Sequence, residues 1–166
     1  MERFNKKKML TQIISVAMKD AEAIRKGIEN AKASAVDAQV AMQATYDTTR
    51  QEQSWLYDAL CQKYNSLMDY IAKLNSAVKD ESSLIGTVYC VEQNHEEKLY
   101  VMVPEGYALN LSKEVEAPIP EFELDCVSTN SPFGQCLMEI SEEYSPFEFT
   151  TPDGRHIEGW VNDIFR

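Results

Sequence analysis

The sequence predicts an α+β fold: an N-terminal antiparallel α-helical coiled-coil hairpin over residues 1–78, then a small antiparallel β domain with one short helix over 79–166. Three observations carry this. Residues 1–78 contain one glycine, Gly27, and no proline, whereas the other five glycines and all six prolines lie in 79–166. Punctuators missing over so long a stretch argue for long helices. The hydrophobic period changes at the same place, from helical spacing to strand alternation. Charge changes there too: 11 basic and 9 acidic side chains give way to 5 basic and 18 acidic, so the acidity of this chain of net charge −11 sits in its second half.

In the first arm, Leu10, Ile14, Ala17, Ala21, Ile24, Ile28, Ala31, Ala35, Ala38 and Met42 keep a four-three alternation, the seam of a coiled coil. Alanine dominates its far part and lets a partner helix come close. Leu56, Leu60, Tyr64, Leu67, Ile71, Leu74 and Val78 supply the seam of a second arm, and two arms in one chain make an antiparallel hairpin. Ser34-Ala-Val-Asp37 reads as a helix-starting capping box, which puts the tip at about 33–43. The unbroken alternation also allows a first helix that runs to about 42. An arm of about 30–35 residues reaches roughly 45–50 Å at 1.5 Å per residue.

The second half is rich in β-formers. Strands are expected at Leu84–Glu92, Lys98–Val103, Phe122–Val127, Phe147–Thr151 and His156–Phe165. Thr151-Pro-Asp-Gly154 is a hairpin turn, with Pro presetting φ and Gly tolerating φ > 0. A short helix follows Ser131-Pro132 and covers Phe133 to Ile140. Val115-Glu-Ala-Pro-Ile-Pro120, within 104–120, reads as an extended surface connector.

Composition excludes several function classes. At 44% hydrophobic and 26% charged the mixture is globular. No window approaches the roughly 18 apolar residues of a membrane helix, and the start lacks a signal-peptide core, so a soluble cytoplasmic protein is expected. So acidic a second half repels a phosphate backbone and suits a basic protein face. Cys61, Cys90, Cys126 and Cys136 are widely spaced, without C-x-x-C, and read as buried free thiols. His95 and His156 stand far from any cysteine pair, so no metal site is expected, and no nucleophile, base and orienter can be assembled from them. An autonomous enzyme is not expected.

The order of motifs resembles the bacterial Gre transcript-cleavage and elongation factors. A helical hairpin precedes a half that opens on Ile85-Gly-Thr-Val, continues through Val127-Ser-Thr-Asn-Ser-Pro132 and Asn130-Ser-Pro-Phe-Gly134, and ends on Phe147-Glu-Phe-Thr-Thr-Pro-Asp-Gly154 with a closing strand. Ala44-Thr-Tyr-Asp-Thr-Thr-Arg-Gln-Glu-Gln53 is similar to the family's A-E-Y-D-A-A-K-E-E-Q stretch. The resemblance covers nearly the whole chain. It implies a coiled-coil finger that enters the secondary channel of RNA polymerase, and an FKBP-like domain that docks at the channel rim. It also implies that Ser131, Pro132 and Phe133, with Asn130 beside them, lie in the rim-contacting loop. Nascent RNA or DNA would be met only through the polymerase, by a monomer.

Cleavage stimulation in that family depends on two tip acids, in a G-D-L-x-E-N segment, that help hold a Mg²⁺ shared with the polymerase active site; the cation needs carboxylate oxygens to offset its charge and orient water. This sequence departs from the pattern. Counted back from Tyr46 without gaps, the acids fall on Gln39 and Met42. If Ala31-Lys32 matches the family's Ala-Arg, the tip is about three residues longer and Asp37 is its one acid, a weak candidate for catalysis and equally a helix-terminal charge. The expectation is a channel-binding regulator of elongation, pausing or initiation without ordinary cleavage activity.

Other residues have plainer readings. Arg3 and Lys6-Lys7-Lys8 form a solvated helix end, while Arg25, Lys26, Lys32 and Arg50 could approach RNA or polymerase acids. Trp55, Tyr57, Tyr64 and Tyr70 suit packing along the hairpin. The alternative from another class is a coiled-coil chaperone or adaptor with an FKBP-like, peptidyl-prolyl isomerase-type module, whose proline pocket would use Tyr100, Phe122, Phe147, Phe149 and Trp160. A third is a structural hairpin that dimerises.

Overall fold

The computed structural model describes residues 4–37, 46–111 and 114–166. The elements are α1 (Lys6–Asp37), α2 (Tyr46–Lys79), β1 (Val88–Gln93), β2 (Glu96–Val103), β3 (Leu124–Ser128), α3 (Pro132–Met138), β4 (Ser145–Thr150) and β5 (His156–Phe165). The fold is α+β, as the change of period predicts. Ser34–Asp37, however, form the last turn of α1 rather than the start of the second helix. Alanine-rich sequence with no Gly or Pro favours continuing the helix, and this outweighs the local capping signal. The expected tip residues Ala38, Gln39 and Met42 lie outside the described residues.

Leu10, Ala17, Ala21, Ile24 and Ala31 of α1 and Leu67, Ile71 and Leu74 of α2 are buried, as the seam requires. Leu56 is not: it is 53% exposed. Four residues before Leu60, it breaks the four-three alternation, whereas counting back by three and then four gives Tyr57 and Gln53. Gln53 is half-buried and its Oε1 has no hydrogen-bond partner among the described residues. The far end of the α2 seam is therefore polar. Trp55, expected to pack, is 63% exposed.

The five strands form one sheet in the order β3-β2-β1-β5-β4. Three pairings are antiparallel and β2 and β3 run parallel, so the sheet is mainly antiparallel, as expected, with one parallel pair at its edge. Parallel neighbours require a crossover, and the segment between Val103 and Leu124 provides it. Asn94 and His95, both at positive φ, form the two-residue β1–β2 turn whose twist suits a hairpin. The Thr151–Gly154 turn forms as expected, with Gly154 at φ 84° and its N–H donating to Thr151 O at 2.8 Å.

Both sheet faces are covered. One carries Val88, Cys90, Leu99, Val101 and Val103 in a core continuous with Met9, Leu10 and Ile13 of α1 and Leu67, Tyr70 and Leu74 of α2. The other carries Tyr89, Val91, Met102 and Val161 against Leu137 of α3. Met9, Ile13 and Val16 lie off the coiled-coil seam and are buried by this second set of contacts. The base of α1 thus has two apolar faces.

The crossover is the buttress between hairpin and sheet rather than a surface connector. Leu111 and Val115 are buried in the core shared by helices and sheet. The Tyr107 ring lies 6.0 Å from Tyr70, and its hydroxyl donates to Asp20 at 3.4 Å. Lys8 and Lys19 pair with Glu116 and Glu114 at 2.7 and 2.5 Å, and the Glu116 N–H donates to Gln12 at 3.1 Å. Lys6 donates to the Ser83 carbonyl, and burial lowers its pKa against the opposing pull of Asp80. Lys6 and Lys8 are therefore anchors and not a solvated end; Arg3 lies outside the described residues. Among the described residues no helix is long and apolar enough to cross a membrane.

Candidate functional site

Two places hold the residues that the sequence points to. The first is the far end of the hairpin. Among the described residues, Lys19 and Asp20 on α1 and Lys73 on α2 make polar ties to the rest of the fold. From Asp20, α1 continues roughly 25 Å to Asp37 at 1.5 Å per residue, and α2 leads back over roughly 35 Å from Tyr46 to Tyr70. The projecting part is slim because Ala21, Gly27 and Ala31 face α2; a Cβ on Gly27 would be in ordinary contact, 3.6 Å from Leu60 Cδ1. Asp37 is the last residue of α1. Of the candidate basic residues, Arg25 is held on its own helix by Glu22 at 2.7 Å and Glu29 at 2.6 Å.

The second place is the β3–α3 corner, residues 130–133. Ser131 is the N-cap of α3: its Oγ accepts from Gly134 N–H at 2.9 Å and donates to Ser128 O at 2.8 Å. Pro132 occupies the first helical turn, where its missing N–H costs nothing. A Cβ on Gly134 would stand 1.9 Å from Ser128 O, so only glycine allows the helix to start this close to β3. Phe133 points inward. Its ring lies 5.0 Å from Tyr100, 5.1 Å from Phe149 and 5.6 Å from Phe147. Asn130 and Pro132 remain exposed at the corner, with the Ser128 hydroxyl donating to Asn130 Oδ1 at 2.5 Å.

Within the Ser-Pro-Phe-Gly motif, Ser131, Phe133 and Gly134 therefore build the corner, while Pro132, with Asn130 beside it, faces outward. Tyr100, Phe147 and Phe149, candidates for an isomerase-type pocket, pack with Phe133 between α3 and the sheet. Phe122 packs on the opposite face, and Trp160 is 51% exposed. The cysteines are free thiols; Cys90 is buried and the others are half-buried. Burial pushes the Cys126 thiol up to about 12, with Asp125 adding to it, and the Cys90 thiol up to about 11. Neither has the depressed pKa of a nucleophile. Among the described residues no three His, Cys, Asp or Glu side chains converge as metal ligands.

No protein-family model and no curated protein matches this chain. Solved structures similar to it include one of the transcription factor Gfh1, at 17% identity over 92% of this chain and 93% of that one, with a TM-score of 0.35. Gfh1 of Thermus aquaticus is 19% identical over 90% and 92%, TM-score 0.35. GreA factor homolog 1 of Thermus thermophilus is 19% identical over 91% and 93%, TM-score 0.32. At such identities and TM-scores nothing about activity passes from them to this chain.

Proposed function

We propose that this chain is a Gre-like transcription factor whose hairpin, residues 1–78, occupies the secondary channel of RNA polymerase, while an FKBP-like domain, residues 79–166, docks at the channel rim. The observation that supports it most is the slim hairpin projecting roughly 25–35 Å beyond those polar ties to the rest of the fold, joined to the ordered Gre-type motifs at Val127–Gly134 and Phe147–Gly154. At the rim, Asn130 and Pro132 make the contact, and Ser131 and Phe133 hold them in place.

A Mg²⁺ shared with the polymerase does not fit this tip as a carboxylate pair. The hard cation takes oxygen ligands and is best offset by carboxylates, whereas Met42 offers a thioether, Gln39 a neutral amide, and Asp37 is the one acid within residues 33–43. The chain therefore acts by occupying the channel and modulating elongation, pausing or initiation; it is no enzyme of its own and works in the cytoplasm as a monomer.

The test is binding to the cognate RNA polymerase, followed by transcript cleavage on backtracked elongation complexes. Binding without stimulated cleavage, weakened by Pro132→Ala, is expected. Absence of binding would overturn the reading and favour the chaperone or adaptor, which a prolyl isomerase assay then addresses.

A further inference from the structure

The sheet face that the helices cover does not end where they do. Val88 and Cys90 of β1 point into the core shared with α1 and α2, and by strand alternation Glu92 stands on the same face beyond it. Its register partner on β5 is Trp160, and the partner of Trp160 on β4 is Pro146. One step further along, Glu148 stands directly opposite Glu158. These side chains and His95 of the overhanging β1–β2 turn line an open groove.

Three features of this groove are costly for a surface with no occupant. Trp160 keeps 51% of its surface in water. Like charges directly opposite each other across an antiparallel pair destabilise the sheet, and Glu148 and Glu158 are such a pair. No Lys or Arg lines the groove. Its carboxylates instead meet the His156 imidazole, 3.7 Å from Glu148, the His95 imidazole, 3.9 Å from Glu92, and the Asn162 amide, which donates to Glu92 at 3.2 Å. The sheet beneath it is tightly packed. A Cβ on Gly159 would lie 2.5 Å from Glu92 O and 2.7 Å from the Phe147 ring, so glycine is what lets β5 sit this close to both.

We infer that the groove is a docking site for an arginine-bearing segment of a partner protein, the guanidinium lying on the Trp160 indole and held by Glu148 and Glu158. Charge complementarity sets the sign of the occupant, and the indole sets its shape. A planar, weakly hydrated guanidinium stacks on an aromatic face and forks to carboxylates, which an ammonium does not do as well. The site uses none of residues 130–133 and stands independently of the polymerase reading.

The test uses the full chain carrying Trp55→Phe, so that Trp160 is its one tryptophan, titrated with the peptide acetyl-Gly-Arg-Gly-Arg-Gly-amide and with the same peptide bearing neutral citrulline for arginine. A saturable change in Trp160 emission is expected with the arginine peptide, with binding about tenfold weaker for citrulline. The Glu148→Gln/Glu158→Gln double variant, with a melting temperature no lower than its parent's, weakens the arginine peptide by a similar factor. Trp160→Leu, read by calorimetry, does the same. No saturable change, equal binding of citrulline, or undiminished binding by the folded double variant would overturn the inference.

Discussion

Leu10 of α1 packs so closely on Gly86 that a Cβ on the glycine would stand 2.9 Å from the leucine Cγ and Cδ1. Gly86 sits just before β1 at φ 87°, and its N–H donates to Met102 O at 2.8 Å. Here the hairpin meets the sheet. Alanine at this position meets both a left-handed backbone, which costs an L-residue about 1 kcal/mol, and the leucine, so Gly86→Ala should destabilise by about 2–3 kcal/mol. Urea unfolding of Gly86→Ala and of Gly86→Ala/Leu10→Ala separates the two terms: the double variant relieves the contact but keeps the backbone strain and adds the loss of a buried leucine, so its cost is less than additive.

Tyr70 carries the one fully buried hydroxyl whose oxygen finds no hydrogen-bond partner among the described residues. Its ring packs against Tyr107, and burial raises its pKa. Removing an unsatisfied buried polar atom without changing shape is neutral or stabilising, by up to about 1 kcal/mol. Tyr70→Phe should therefore raise the urea midpoint or leave it unchanged, and a clear fall would reveal a bond that the hydroxyl makes in solution.

The residues that were legible in the sequence and those that were not differ in the distance over which their environment is set. Burial of Leu67, Ile71 and Leu74, and the Thr151–Gly154 turn, follow from local spacing and turn chemistry. Leu56 reads as a seam residue on hydrophobicity alone, but strict alternation selects Tyr57 and Gln53, neither of which reads as a core residue. The crossover reads as surface in the sequence because Pro118, Pro120 and its many glutamates look like a loop. Its roles come from Lys8, Lys19 and Asp20, about a hundred residues earlier in the chain. The parallel β2–β3 pairing is likewise a consequence of that crossover. At the β3–α3 corner the motif Ser-Pro-Phe-Gly was visible, but the inward turn of Phe133 depends on Tyr100, Phe147 and Phe149, which only the sheet brings together.

Stability should fall at alkaline pH. Cys126 is pushed up to about 12 in the folded chain, chiefly by burial, and Cys90 to about 11. In the unfolded chain both titrate near the ordinary thiol value. A folded-state pKa above the unfolded one contributes stability that is complete below the unfolded pKa and is lost as pH rises towards the folded one. The window here opens near pH 9, and the loss is at most about 1.4 kcal/mol per pH unit for each thiol. Urea melts at about pH 8 and about pH 10.5 should show it, with a shallower dependence in Cys126→Val.

The β3–α3 corner separates folding from binding. Ser131→Ala removes the N-cap acceptor and should cost about 1 kcal/mol. Pro132→Ala removes an exposed ring and should change stability by less than about 0.5 kcal/mol. If Pro132 makes the polymerase contact, its substitution weakens binding while the melting temperature holds. Ser131→Ala should do the reverse unless the corner itself moves. Paired thermal melts and polymerase-binding titrations on the two variants give the comparison.

The tip acids offer the most direct reading of mechanism. The shared-metal chemistry of Gre-type cleavage needs two carboxylates whose charge offsets the cation and whose oxygens orient water. On the proposed Gre-like reading, Gln39 and Met42 would take the places of those acids when the chain is counted back from Tyr46 without gaps. The unaltered chain should therefore leave cleavage of backtracked RNA at the polymerase's own rate, and Asp37→Ala should change nothing. Gln39→Asp/Met42→Glu should create Mg²⁺-dependent stimulation, with neither single substitution reaching the effect of the pair. Assayed on stalled elongation complexes at matched occupancy, stimulation by the pair would fix the gapless register. Stimulation by the unaltered chain that vanishes in Asp37→Ala would show instead that the tip is longer and that one carboxylate suffices.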